Sequence, residues 1–216
     1  MELIDLSHPI EHGMITYKGL PAPIICDYLS REESKSKYAE GTEFQIGKIE
    51  MVANTGTYLD CPFHRYADGK DLSQIQLEKL ADLEGVLIDA EGTQAIDKKF
   101  FEGKNLFGTA VIVHTGWSKH WRTDSYFENH PFLTADAADY LVSQKVILVG
   151  IDSHNIDDTR TNSRPVHSIL LKNEILITEH MTNLKLLRGK KFRFNAVPPK
   201  FVGVGTFPVR AFAKIN

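Results

Sequence analysis

Cysteine is scarce, with Cys26 and Cys61 the only two in 216 residues. They show no Cys-x-x-Cys spacing, so a disulfide framework and a zinc knuckle are excluded, and both read as free thiols in a reducing compartment. No apolar run approaches the roughly 18 residues that a membrane helix needs, and no basic stretch followed by an apolar one opens the chain. The expectation is a cytoplasmic protein with no membrane partner. Positive charge is also short, with 25 Lys and Arg against 28 Asp and Glu, a formal net charge of −3. No broad basic field is available to hold nucleic acid. There is no internal repeat and no low-complexity linker to mark a boundary, so residues 1–216 read as one domain with a substantial core.

What is present concentrates between Asn54 and His64, in the string N-T-G-T-Y-L-D-C-P-F-H. Gly56 permits a tight turn that a residue with a Cβ resists, and Thr55 and Thr57 can bond that turn locally. Pro62 fixes its own φ and biases Cys61 toward an extended shape, so Asp60 and His64 sit on a stiffened loop. A carboxylate and an imidazole held this way serve as metal ligands or as an acid/base pair. On these residues alone, Asp60 capping a turn and His64 bonded to backbone is an equal alternative.

The surrounding chain reads as alternating short strands and helices. Val86 to Ala90, Ala110 to His114 and, after its first lysine, Lys145 to Ile151 have the continuous apolar character of buried strands. Thr134 stands as an N-cap before a helix with Ala137, Tyr140 and Leu141 on one face, and Val166 to Leu171 is a second helical stretch. Helix is also expected from Ala95 to Phe101, and strands at Phe192 to Ala196, Phe201 to Val204 and Val209 to Ile215. Glu43 to Ala53 reads as one long strand in which the apolar phase slips at Gly47-Lys48, the signature of a bulge. Residues 30–42 are polar and charged and read as a solvated excursion. The span 115–133 gathers Trp117, Trp121, Tyr126, His120 and His130, which suit a pocket lining, a small secondary core or an oligomer contact. Asp152, His154, Asp157 and Asp158 follow a strand end and could form a second polar cluster near the site, although turns and helix caps are the ordinary use of such residues.

The Asn54–His64 string resembles the signature of the metal-dependent cyclase and kynurenine-formamidase-like hydrolase family, His-x-Gly-Thr-His-x-Asp-x-Pro-x-His. Gly56, Thr57, Asp60, Pro62 and His64 match it, whereas Asn54 and Tyr58 stand where the signature has histidines. The likeness continues in Asp5-Leu6-Ser7-His8-Pro9-Ile10, in Gly150-Ile151-Asp152-Ser153, in the blocks containing His167 and Glu179, and in Pro208-Val209-Arg210-Ala211. The resemblance implies an α/β fold, a swivelling β/β/α single domain with a mixed, largely β core, assembled as a homodimer or homotetramer. It also implies a divalent metal held by Asp60, His167 and Glu179.

In the family two metals are bound, and with Asn54 and Tyr58 in place of two imidazoles the expectation is one ion, zinc ahead of manganese. A carboxamide is a weak zinc ligand, and a phenol with pKa near roughly 10 must lose a proton before it binds well. His64 is then the general base and acid, with Tyr58 and Asn54 as hydrogen-bond donors to the oxyanion. The implied reaction cleaves a C–N or C–O bond in a small cyclic or formylated amide. The alternative is an altered family member that binds a small molecule or serves as an assembly subunit. Cys61 as nucleophile is a third and weaker reading, since packing suits it better.

Overall fold

The computed structural model describes residues 2–215. In chain order the elements are β1 (Glu2–Asp5), β2 (Ile24–Leu29), α1 (Arg31–Lys35), β3 (Ile46–Glu50), β4 (Tyr58–Asp60), β5 (Leu83–Asp89), β6 (Ala95–Ile96), β7 (Ala110–His114) and β8 (Phe132–Leu133). They continue through α2 (Ala135–Ser143), β9 (Leu148–Ile151), α3 (Pro165–Lys172), β10 (Leu176–Glu179), β11 (Phe192–Asn195), β12 (Thr206–Pro208) and β13 (Phe212–Ile215). Nine strands form one mixed sheet in the order β1-β13-β11-β5-β7-β9-β10-β4-β12. The central four, β5, β7, β9 and β10, are parallel, and antiparallel pairs extend the sheet on both sides.

Parallel strands covered on both faces should be apolar throughout, and every residue of β7 and β9 is buried. Alternation along them feeds two cores. Val111, Val113, Val149, Ile151 and Ile177 pack with Ala137, Ala138 and Leu141 of α2 and with Val166, Leu170 and Leu171 of α3. Ile112, Leu148 and Leu176 face the opposite way and meet Leu59, Phe192, Phe194, Leu184 and Leu187, where the sheet curls over itself. This is the single-domain, largely β architecture that the resemblance implies.

Several local expectations are corrected. The long strand expected from Glu43 to Ala53 is only Ile46–Glu50, and it pairs with β2 in a separate two-stranded arm. The irregularity lies in the partner strand, between Asp27 and Leu29, and not at Gly47-Lys48. All of β3 is exposed, so no buried face imposes a side-chain phase on it. The solvated excursion contains α1, begun by a capping box in which Ser30 and Glu33 satisfy each other. The helix expected at Ala95 to Phe101 is β6 followed by a single 3-10 turn, Lys98–Phe100, because Gln94 and Ile96 carbonyls accept from Phe132 and Thr134. No strand covers Phe201 to Val204, and the chain instead turns there and enters β12. Thr134 does hold the N-cap position of α2, but its hydroxyl donates to Ile96 O and Asp136 and caps no backbone N–H.

Candidate metal centre and cleft

The register of three strands builds the site. In antiparallel pairing Tyr58 lies opposite Glu179 and Asp60 opposite Ile177 of β10, while on the other side Asp60 lies opposite Thr206 of β12. Residues two apart on a strand share a face, so Tyr58 and Asp60 bring Glu179 and Thr206 onto that same face. β4 stops at Asp60. Pro62 then opens a 3-10 turn, Pro62–His64, that carries the His64 ring back over the strand end. Gly205 makes that close return possible: a Cβ there would lie 2.3 Å from the His64 backbone nitrogen.

His167 arrives from α3. Pro165 opens this helix, and Asp157 caps it by accepting from Val166 N at 2.7 Å and His167 N at 3.0 Å. The same carboxylate meets His167 Nδ1 at 2.6 Å. His167 Nε2 therefore faces inward, 3.7 Å from Asp60 Oδ2 and 3.7 Å from Glu179 Oε1. Two donors at about 2.0–2.2 Å from a tetrahedral ion stand about 3.3–3.6 Å apart, so this spacing needs little adjustment. Asp60 Oδ2 is buried with no hydrogen-bond partner among the described residues, a costly state that a cation would relieve.

Electrostatics agree with that geometry. Burial disfavours a charged His167, but Glu179, Asp157 and Asp60 override it and raise its pKa to about 10. Burial raises the Glu179 carboxyl and Asp60 adds to the shift, while His167 and Tyr58 oppose it. The cluster thus carries surplus negative charge and selects a cation. Asp60, His167 and Glu179 fit a divalent ion, and the Asp157–His167 contact supplies the outer-sphere carboxylate that orients a ligating imidazole.

Asp60 and His167 also form a second convergent set with His64, all three offering ligand atoms within 4.8 Å of one another. The proton inventory distinguishes the role of His64 from that of a ligand through Nδ1. Thr206 Oγ1 donates to Asp60 Oδ1, since a carboxylate only accepts. Having spent its single proton, the hydroxyl accepts from His64 Nδ1–H at 2.7 Å. His64 is thereby fixed with its Nε2 lone pair free, and about a third of the side chain is open to the cleft.

Tyr58 is fully buried and its hydroxyl donates to Glu179 Oε2 at 2.5 Å, while Ile156 N donates to Oε1 at 2.6 Å. Burial first, and the Glu179 charge second, push the Tyr58 pKa well above its ordinary value, so the group is a phenol. Its one proton is committed to Glu179, which competes with the expected donation to an oxyanion. Tyr17 backs Tyr58 at 2.9 Å and is itself held by Asn155 Nδ2 at 2.8 Å. Asn54 lines the same cleft together with Tyr17, Leu20, Tyr58, His64 and His167. Cys61 is buried, and burial pushes its thiol up to about 12, which removes it as a nucleophile.

The structure joins Asp60, His64, His167, Glu179, Tyr58 and Asn54 in one place. Sequence reasoning missed Thr206, Tyr17 and Asn155, and read Asp157 as a turn or cap residue ahead of a member of a second polar cluster near the site. The aromatic span 115–133 resolves as a secondary core: Trp121 stacks on His8 with ring centroids 4.2 Å apart, and Tyr126 bonds His180 Nδ1 at 2.8 Å. His130 is buried there against Pro131 O and Thr159. Asp152 caps the turn after β7 through Thr115 and Gly116, and Asp158 pairs with Arg160.

Two carboxylates and an imidazole converging in a buried pocket, beside a second imidazole with a free nitrogen, fit the site of a metal-dependent hydrolase. The profile of the family described as "Putative cyclase" matches residues 4–158, and the chain belongs to that family. A kynurenine formamidase of Bacillus cereus is 29% identical over 211 residues, covering 97% of this chain and 96% of that one. A kynurenine formamidase of Bacillus anthracis is 29% identical over 210 residues, covering 96% and 95%. A solved structure described as a potential metal-dependent hydrolase with cyclase activity superposes with a TM-score of 0.80 at 25% identity, covering 98% of this chain and 96% of that one. An isatin hydrolase bound to the product analogue thioisatinate shares the fold at a TM-score of 0.80 and 21% identity, covering 98% and 91%.

Proposed function

We propose that the chain hydrolyses the C–N bond of a small formylated or cyclic amide with one divalent ion held by Asp60, His167 and Glu179. The observation that carries this reading is the orphaned Asp60 Oδ2 facing His167 Nε2 at 3.7 Å inside a cluster of surplus negative charge. When bound, the ion supplies polarisation of the amide carbonyl and a water of lowered pKa. The donor set of one imidazole and two carboxylates suits zinc, with manganese as the alternative.

The protein's own part is proton transfer and orientation. Thr206 holds His64 in the Nδ1–H tautomer, so Nε2 accepts the proton of the attacking water and then delivers it to the leaving nitrogen. Tyr58 positions Glu179, and Asn54 is the carboxamide in the cleft that can donate to the developing oxyanion. Hydrolysis of formanilide and of isatin by protein loaded with zinc, abolished by chelator and by His64→Ala, tests the reading. Absence of turnover on both would count against it.

A homodimer or homotetramer is part of the same proposal. The β2–β3 arm leaves Ile24, Ile46 and Ile49 exposed, and a two-stranded ribbon is marginal alone in water, so a second copy packed on the arm is the natural cover. Light scattering on eluted protein tests this, and a monomer would overturn it. Among the described residues no helix is long and apolar enough to cross a membrane. A cytoplasmic location remains part of the proposal and is tested by fractionation.

A further inference from the structure

Four successive buried residues between β9 and α3, His154 to Asp157, each reach toward the ligands of the proposed ion. Ile156 N donates to Glu179 Oε1 at 2.6 Å, and the Asp157 carboxylate holds His167 Nδ1 at 2.6 Å. These two act on the ligands directly. The other two act on Tyr17, which lines the cleft from the loop between β1 and β2. The His154 carbonyl lies 3.0 Å from the Tyr17 hydroxyl, and Asn155 Nδ2 donates to that hydroxyl at 2.8 Å.

Counting protons gives these contacts a direction. Asn155 Oδ1 accepts from Asp157 N at 2.9 Å, so the amide NH2 is the side turned toward Tyr17. Tyr58 spends its only proton on Glu179 Oε2, so Tyr17 is the donor in the 2.9 Å contact between the two phenols and shares that proton with His154 O. The bonds run one way, from Asn155 to Tyr17 to Tyr58 to Glu179. They end on one oxygen, with Tyr58 at 2.5 Å and Tyr17 itself at 3.5 Å from Oε2. The other oxygen, Oε1, gives one lone pair to Ile156 N and lies 3.7 Å from His167 Nε2. A buried tyrosine is ordinarily a packing group whose hydroxyl has found a partner. This pair ends on a proposed ligand and covers one of its two oxygens while leaving the other turned toward His167.

We propose that Tyr17 and Asn155 are positioning residues that make Glu179 a one-oxygen ligand through Oε1, with Oε2 covered by the paired phenols. This rests on the proposed ion at Asp60, His167 and Glu179, but not on the identity of the substrate. Three protein donors leave a position open for water and an amide carbonyl. A carboxylate that closed on the ion with both oxygens would fill that position. Tyr17 acts through Tyr58 and Glu179 and moves no proton in the reaction, and Asn155 acts by orienting Tyr17.

Cobalt(II) chloride added to protein stripped of metal reads the coordination without any turnover, because the visible bands of a four-coordinate cobalt ion weaken when a further ligand enters. Tyr17→Phe removes the hydroxyl and keeps the ring packed on His154 and His180. The wild type is expected to show intense bands, and Tyr17→Phe and Tyr58→Phe each to lose part of that intensity as Oε2 reaches the metal. Lys18→Ala, which cuts the outer tie of the same loop to Asp124, should leave the bands unchanged. Asn155→Ser keeps an acceptor for Asp157 N and removes the donor to Tyr17, so it carries the same expectation should Tyr17→Phe fold poorly. With formanilide and isatin, kcat should fall about tenfold to a hundredfold in Tyr17→Phe with KM little changed. Undiminished bands in Tyr17→Phe, or an equal loss in Lys18→Ala, overturn the positioning role and leave the hydrolase standing. A wild type that binds no cobalt overturns this proposal and the metal reading together. Bands that weaken in Tyr17→Phe, in a protein that turns over neither amide, support the positioning role and reject the hydrolytic reading.

Discussion

His167 Nδ1 lies 2.6 Å from Asp157 Oδ2, so the carboxylate that caps α3 also fixes the imidazole that faces the proposed metal centre. One residue thus couples the start of a helix to the direction of a ligand. Asp157→Asn keeps the size and part of the cap but weakens the hold on the ring. Metal affinity should fall about tenfold to a hundredfold with the far-ultraviolet spectrum unchanged. Titration of metal-free protein with zinc and a competing chelator measures this, and unaltered affinity would dissociate Asp157 from the site.

Thr206 bridges Asp60 and His64, and its hydroxyl sets the tautomer of the base. Thr206→Val removes the hydroxyl at nearly constant volume. We expect kcat to drop about tenfold to a hundredfold, with Thr206→Ser restoring most of it and KM changed little in either. A Val variant with wild-type kcat and an unshifted pH profile would show that His64 does not depend on this contact.

At the proposed metal centre an ion would compete with a proton. In the metal-free protein His167 has its pKa raised to about 10, so it carries a proton at neutral pH. That shift contributes stability present in full below the unfolded value of about 6.5 and lost as the pH rises through the folded value. Binding of zinc near pH 7 should therefore release about one proton from His167, and affinity should climb with pH. Calorimetry in two buffers of different ionisation enthalpy reads the proton directly. Zero release would contradict a protonated His167.

Gly205 approaches the His64 backbone so closely that Gly205→Ala must displace the 3-10 turn or β12. Since the neighbour is main chain, relief is not cheap. The variant is expected to be destabilised by about 1–3 kcal/mol and to lose activity out of proportion to that cost. Urea midpoints and kcat measured together check it; a stable and fully active variant would mean the loop tolerates a Cβ.

Much of this was legible in the chain itself, and the exceptions have physical reasons. Fully buried strands such as Ala110–His114 announce themselves because both faces are covered, and α2 shows its apolar face through Ala137 and Leu141. The β2–β3 arm was misread because neither of its faces is buried, so its apolar residues carry no phase. Asp60 and His64 stand out in the Asn54–His64 string itself, whereas His167 and Glu179 were found only through the resemblance to the family. Thr206 was invisible: it lies 142 residues from His64, and a threonine in a strand is ordinary until pairing sets it opposite Asp60. Tyr17, in a loop rich in glycine and proline, gave no sign either of its place behind Tyr58.

The central claim is a single divalent ion on Asp60, His167 and Glu179, and metal content per chain tests it most directly. Elemental analysis of protein purified without chelator, for the wild type and for Asp60→Ala, should give about one zinc or manganese in the first and essentially none in the second. Two ions per chain, or an ion retained in Asp60→Ala, would contradict the account.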